Sequence, residues 1–213
     1  MDIVEVLGRT ELFAGATPDE LRAIAPAVRH RSYAKGSYIF RAGDPASAAY
    51  VVLTGLLKTV KAGQNGRDLV ITLAGPGDVM GEYHLLEESS SRYYDAMAVE
   101  RSECLILARD SLQYYLERNP RVMRRLAAAL VRRAVRQVDA LAAPRVERDF
   151  AGRVEQQLVK LAESFGEATP EGRRIRFRVD QSMLAELVGG SRENVNRVLR
   201  RLVQDKAIVN DSA

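Results

Sequence analysis

Apolar residues recur along this chain with changing periods, and each period predicts a different element. Over residues 1–27 they fall in short helical groups. Leu7, Leu12 and Phe13 mark a first turn, and Thr17-Pro18-Asp19-Glu20 opens a helix. Threonine suits the cap there, proline the first helical position, and acids the first turn. Over 28–107 the pattern changes to short β-rich runs: RSYAKG, SYIFRAGD, AAYVVLTG, LLKTVKAG and DLVITLAGPGD. Glycine turns recur roughly every eight to twelve residues, as in an antiparallel barrel or sandwich.

Helical spacing returns over 109–143, interrupted at Asn119-Pro120, so a short helix and then a long one are expected. On the long helix Met123, Ala127, Leu130, Ala134, Gln137 and Leu141 alternate spacings of four and three. That is a heptad seam, suited to pairing with a second copy of the chain. Val131, Val135 and Val138 form a second apolar line, expected to pack on the chain's own β-layer, while Arg132, Arg133 and Arg136 face solvent. Ala142-Ala143-Pro144 reads as a hinge, 146–165 as a helix and 166–172 as a loop. RRIRFRV (173–179) alternates like a strand with one wet face, and Ile208-Val209 is a candidate last strand.

The stretch 180–203, DQSMLAELVGGSRENVNRVLRRLV, predicts two helices joined by a Gly189-Gly190 bend. Met183, Leu184, Leu187 and Val188 line the inner face of the first; Val195, Val198, Leu199 and Leu202 line that of the second. Ser191 suits the N-cap of the second helix. Its outer face carries Arg192, Glu193, Asn194, Asn196, Arg197, Arg200 and Arg201. A packed face under a basic face at this length is the helix-turn-helix pattern. Arginine can hold guanine O6 and N7 with two hydrogen bonds, and a carboxylate can accept from cytosine N4. Ser191, Arg192, Glu193, Asn196 and Arg197 are therefore the candidate DNA-contacting residues.

Composition changes this picture little. The 213 residues carry a net charge of +4, which permits nucleic-acid binding without demanding it, so the placement of the arginines has to carry the inference. A single cysteine, Cys104 in the run CLIL, excludes a disulfide framework or a zinc finger within one chain and reads as a small buried hydrophobe. No signal peptide or membrane-length apolar run is seen, so a cytoplasmic protein without a membrane partner is expected. His30 and His84 are the only histidines, Ser89, Ser90 and Ser91 fall in an expected loop that does not assemble a catalytic triad, and metal ligands are not clustered. Catalytic and metal residues are accordingly expected to be absent, and the chain is not read as an enzyme.

SRENVNR (191–197) resembles the recognition-helix signature of the Crp–Fnr superfamily of bacterial transcription regulators, Ser-Arg-Glu-Thr-Val-x-Arg. The resemblance implies that Arg192, Glu193 and Arg197 read bases; Asn194 replaces the family's threonine at a non-reading position. KGSYIFRAGDPASAAYVVLTGLLKTV is similar to the β-roll of cyclic-nucleotide-binding domains, with Gly36, Gly43-Asp44 and Gly55 at turns. The implied fold class is α+β: a jelly-roll-like antiparallel β-roll sensor (1–108), a linker and dimerisation helix (109–143) and a winged helix-turn-helix (144–213). The implied partners are a second copy of the chain, a palindromic double-stranded DNA operator and RNA polymerase. The chain given stops at Ala213, before the strand that usually completes the family's wing, which leaves wing contacts to phosphate open.

The same resemblance points to an effector site. A Gly-Glu pair opens a short helix in these domains, and an arginine follows eleven residues after the glycine; Gly81, Glu82 and Arg92 match. Helix N-termini favour anions, and arginine pairs with phosphate. A cyclic nucleotide is thus the leading effector. Two departures stand beside it. Tyr93, followed by Tyr94, replaces a serine or threonine, and Gln137-Val138 replaces a Thr-Ser pair that contacts adenine from the long helix in cAMP-binding members. Gly81, Glu82, Arg92, Tyr93 and Gln137 make up the candidate effector set. Three readings stay open: a regulator switched by a small molecule, the same architecture with Tyr93 and Tyr94 filling the pocket, and a signalling subunit that grips protein rather than DNA.

Overall fold

The computed structural model describes residues 2–13, 15–62, 68–82, 91–142 and 149–209. The hinge at Ala143-Pro144, His84, and Ser89 and Ser90 lie outside the described residues. Contacts divide the chain into two units, residues 1–61 with 72–143 and residues 62–71 with 144–213. Each is taken by itself.

The first unit begins with α1 (Ile3–Gly8), a 3-10 turn (Glu11–Phe13) and α2 (Pro18–Ile24). A reciprocal cap starts α2: Glu20 N–H donates to Thr17 Oγ1 (3.2 Å) and Thr17 N–H to Glu20 Oε2 (2.7 Å). The β-roll follows as β1 (Val28–Tyr33), β2 (Tyr38–Phe40), β3 (Ala48–Thr54), β4 (Leu57–Ala62), β5 (Asp68–Ala74), β6 (Val79–Met80), β7 (Asp95–Ala98) and β8 (Ser102–Ala108). They form two four-stranded sheets, ordered β1-β8-β3-β6 and β2-β7-β4-β5. All three pairings of the first sheet are antiparallel, as are β2 with β7 and β7 with β4 in the second.

Strand β3 shows why AAYVV reads as an unbroken apolar run. Ala48, Tyr50 and Val52 face a core with Phe40, Leu57, Met80, Ala96, Ala98 and Cys104. Ala49 and Val51 face a second core with Leu7, Phe13, Leu21, Ile24, Leu112, Leu116 and Leu126. A strand covered on both faces loses its polar alternation. Cys104 is fully buried in the first of these cores, as its neighbours in sequence predict.

Next come α3 (Arg109–Arg118) and α4 (Pro120–Ala142), parted at Asn119 as expected. The packing of α4 corrects one expectation. The line facing the chain's own core is Val122 and Leu126, each 1 % exposed, with Met123 and Leu130 packed beside them. Val131 and Val135 are instead 62 % and 52 % exposed. Met123 and Leu130, assigned above to a seam between copies, thus pack within the chain. The phase follows from where the helix starts, because Asn119 O accepts from Val122 and Met123 N–H and turns that side inward.

The second unit holds α5 (Phe150–Phe165), β9 (Gly166–Thr169), β10 (Gly172–Ile175), α6 (Gln181–Val188) and α7 (Arg192–Gln204). Residues expected to be a loop supply β9, and the strand expected over 173–179 ends at Ile175. The signal was a two-residue turn, Pro170-Glu171, closed by Gly172 at φ 143°. Beyond Ile175 the alternation survives without pairing: Phe177 packs edge-on against Phe165, ring centres 5.5 Å apart. Arg173 and Arg176 donate from Nε to Ala162 O and Phe165 O, tying the hairpin to the last turn of α5, where cations are favoured. Residues 208–209 form no strand; Ile208 N–H donates to Leu202 O.

Candidate functional site

In the β-roll the candidate site is built around Arg92. Its backbone is held by the Gly43-Asp44 turn: Arg92 N–H donates to Asp44 O and Gly43 N–H to Arg92 O, both at 2.9 Å. The guanidinium, 3 % exposed, enters the roll. Nη1 donates to Gly81 O at 3.0 Å and Nη2 to Ala48 O. Its carbon lies 4.1 Å from the centre of the Phe40 ring and 5.9 Å from that of Tyr50, a cation–π arrangement. Gly81 has φ 81°, and a Cβ there would come 2.7 Å from Arg92 Nη1, so glycine is needed for the close approach. Burial lowers the guanidinium's pKa from its ordinary value, against Tyr50, Tyr94, Asp44 and Glu82, which raise it. Arginine's basicity leaves it charged regardless. Glu82 is also buried beside the pair.

The other members of the effector set lie elsewhere. Tyr93 is 64 % exposed, so its phenol does not fill the roll. Tyr94 is partly buried, its ring 6.4 Å from that of Phe40. Gln137 belongs to α4, and its side chain is outside the described residues. Phe40, Tyr50 and the Ala48 carbonyl, which frame the guanidinium, were missed from sequence. Their chain neighbours in SYIFRAG and AAYVV show apolar strands but not which ring meets which cation.

In the second unit α6 and α7 make a helix-turn-helix whose parts can be read bond by bond. Asp180 caps α6 by accepting from Met183 N–H (2.8 Å), and Ser191 caps α7 by accepting from Asn194 N–H (3.2 Å). Such caps stabilise a helix by about 0.5–2 kcal/mol each. Gly189 takes the left-handed conformation, φ 66° and ψ 50°, that ends α6. Gly190 is required for packing, since a Cβ there would lie 2.2 Å from Phe150 Cε2 on α5. Val154, Leu161, Met183, Leu184, Val195 and Leu202 are buried. Arg192, Glu193, Arg197, Arg200 and Arg201 are exposed, and Asn196 is half-buried. Gln181, at the start of α6, accepts from Arg192 Nε at 3.4 Å, a contact with no sequence signal.

Both architectures match known families. Residues 30–119 match the cyclic nucleotide-binding domain and residues 152–212 the Crp-like helix-turn-helix domain. The chain belongs to the Crp–Fnr superfamily of bacterial transcription regulators. Among its Crp–Fnr relatives, the CRP-like cAMP-activated global transcriptional regulator of Mycobacterium tuberculosis is 30 % identical over 197 residues, 92 % of this chain and 86 % of that protein. The cyclic AMP receptor protein of Thermus thermophilus is 33 % identical, covering 92 % and 87 %. The structure of the c-di-GMP-responsive global regulator CLP of Xanthomonas campestris superposes with a TM-score of 0.74 at 25 % identity, covering 92 % of this chain and 96 % of that one. Like other Crp–Fnr members, the chain combines an antiparallel β-domain with a C-terminal helix-turn-helix. No helix among the described residues is long and apolar enough to cross a membrane.

Proposed function

We propose that this regulator works as a homodimer that reads a palindromic operator through α7 and is switched by a cyclic nucleotide in the β-roll. The observation that carries the DNA role is the exposure of Arg192, Glu193 and Arg197 on a helix whose opposite face is locked by Val195 and Leu202. Ser191 holds the N-terminus of that helix, and Asn196 flanks its reading face. In a dimer two such helices enter major grooves about one turn apart, ~34 Å. RNA polymerase is the partner through which bound regulator would act. The working division is a sensor over 1–108, a dimerisation helix over 109–143 and a DNA-binding domain over 144–213.

The support for an effector is the cation buried in the roll beside Gly81 and Glu82. A phosphate would exchange the neutral carbonyl partners of Arg92 for an ion pair with two parallel N–H···O bonds, a stronger interaction. Gln137 on α4 would then link effector to dimer seam. A ligand moves such an equilibrium only by binding one arrangement better than the other. The solvent position of Tyr93 favours this reading over a pocket plugged by its ring; Tyr93 would instead border the mouth of the site.

The test is calorimetry of the purified dimer against cAMP, cGMP and c-di-GMP, paired with operator titration across a salt series. Phosphate contacts make the logarithm of affinity fall linearly with the logarithm of salt concentration. Heat from no nucleotide removes the effector; affinity independent of salt removes the DNA role.

A further inference from the structure

Thr59 in β4 is 3 % exposed, and its Oγ1 has no hydrogen-bond partner among the described residues. The same holds for Arg92 Nε. A buried hydroxyl without a partner is costly, and valine would fill the same shape without that cost. The register shows where the hydroxyl sits. Thr59 is directly opposite Ala96 on β7, and Ala96 is directly opposite Phe40 on β2. Directly paired residues project to the same face, so Phe40, Ala96 and Thr59 form one row across the inner face of this sheet. All three are buried. Phe40 carries the Arg92 guanidinium on its ring at 4.1 Å.

The row therefore has a cation at one end, a hydroxyl at the other and only a methyl between. Two strand spacings separate the ends, on the order of 10 Å. That span suits a mononucleotide lying across the row, with its phosphate toward Arg92 and its base edge toward the hydroxyl. We propose that Thr59 is a specificity-determining residue of the effector site, its hydroxyl donating to or accepting from the base of a cyclic purine mononucleotide anchored at Arg92. This rests on the effector reading above and adds to it the group that selects the base. Threonine offers both a donor and acceptors, so it can meet a ring nitrogen or an exocyclic group.

The test uses the full-length protein with cAMP and cGMP as probes, comparing wild type, Thr59→Val and Thr59→Ser. Thr59→Val is expected to lose about three- to tenfold in affinity for the preferred nucleotide, the equivalent of one hydrogen bond. The ratio between the two nucleotides should narrow, and Thr59→Ser should keep the wild-type ratio. Without nucleotide, Thr59→Val should melt at the same temperature as wild type or higher. Equal affinities of wild type and Thr59→Val overturn the role of Thr59 while leaving the effector reading intact. So does a lower melting temperature of unliganded Thr59→Val, which would mean the hydroxyl is a structural bond. A wild-type protein that binds neither mononucleotide overturns the role of Thr59, and one that does not bind c-di-GMP either overturns both.

Discussion

Arg192 and Gln181 join the two helices of the DNA-binding motif from the outside: Arg192 Nε donates to Gln181 Oε1 at 3.4 Å, each at the N-terminal end of its helix. The bond is long and exposed and contributes little stability. It does limit the rotamers of a side chain that must meet a base edge. Arg192→Ala is expected to cost ~1–3 kcal/mol on the matched operator and to relax specificity at one base pair. Gln181→Ala should cost less and leave the melting temperature unchanged. Fluorescence anisotropy on matched and single-substituted duplexes measures both. Equal loss on every duplex would reassign Arg192 to phosphate.

Gly190 is where α5 and the turn meet most closely. Gly190→Val would drive its Cβ into the Phe150 ring. Overpacking of this kind costs about 1–3 kcal/mol, so the urea midpoint should fall by a corresponding amount. Operator binding should weaken with it, because the turn sets the angle between α6 and α7. An unchanged midpoint would show that Phe150 moves aside freely.

Arg92 has a structural duty as well as a candidate binding one. Arg92→Ala strips hydrogen bonds from Gly81 O and Ala48 O inside the roll and removes the cation over Phe40. A loss of about 2 kcal/mol or more in unfolding free energy is expected, even without ligand. Denaturation of the unliganded protein reads this directly. Full stability in the variant would mean that water replaces the guanidinium at low cost.

Val131 and Val135 are apolar and stand in solvent within one chain. In the proposed dimer they are covered by the partner's α4. Val131→Asp with Val135→Asp should yield a monomer by sedimentation velocity. Operator affinity should drop roughly 100-fold or more as bivalent binding is lost. A variant that remains dimeric would place the seam on another surface.

Burial pushes the Cys104 thiol up to about 12, leaving almost no thiolate near neutrality. At pH 8 iodoacetamide should label the native protein far more slowly than protein in denaturant. Rapid native labelling would show that the roll opens. The sign for stability is that of a raised pKa: the contribution is complete below the ordinary thiol value and lost as pH rises toward about 12.

The helix-turn-helix was legible in the sequence because its determinants are local. Spacing places Val195 and Leu202 inward; Ser191 can cap only the helix that begins at Arg192; Gly189 must end α6. The order of short strands and glycine turns likewise marked the β-roll, and Asn119-Pro120 marked the break between α3 and α4. Relations between distant residues were not legible. The heptad of α4 holds two apolar lines of similar strength, and only contact with the N-terminal core decides that Val122 and Leu126 face inward while Val131 and Val135 do not. The family resemblance grouped Gly81, Glu82 and Arg92, yet it was the Gly43-Asp44 turn that held Arg92 over Phe40 with Tyr93 in water, and strand register that set Thr59 on the same row. Periodicity records which face of an element is apolar; which surface covers that face is settled by packing between segments far apart in the chain.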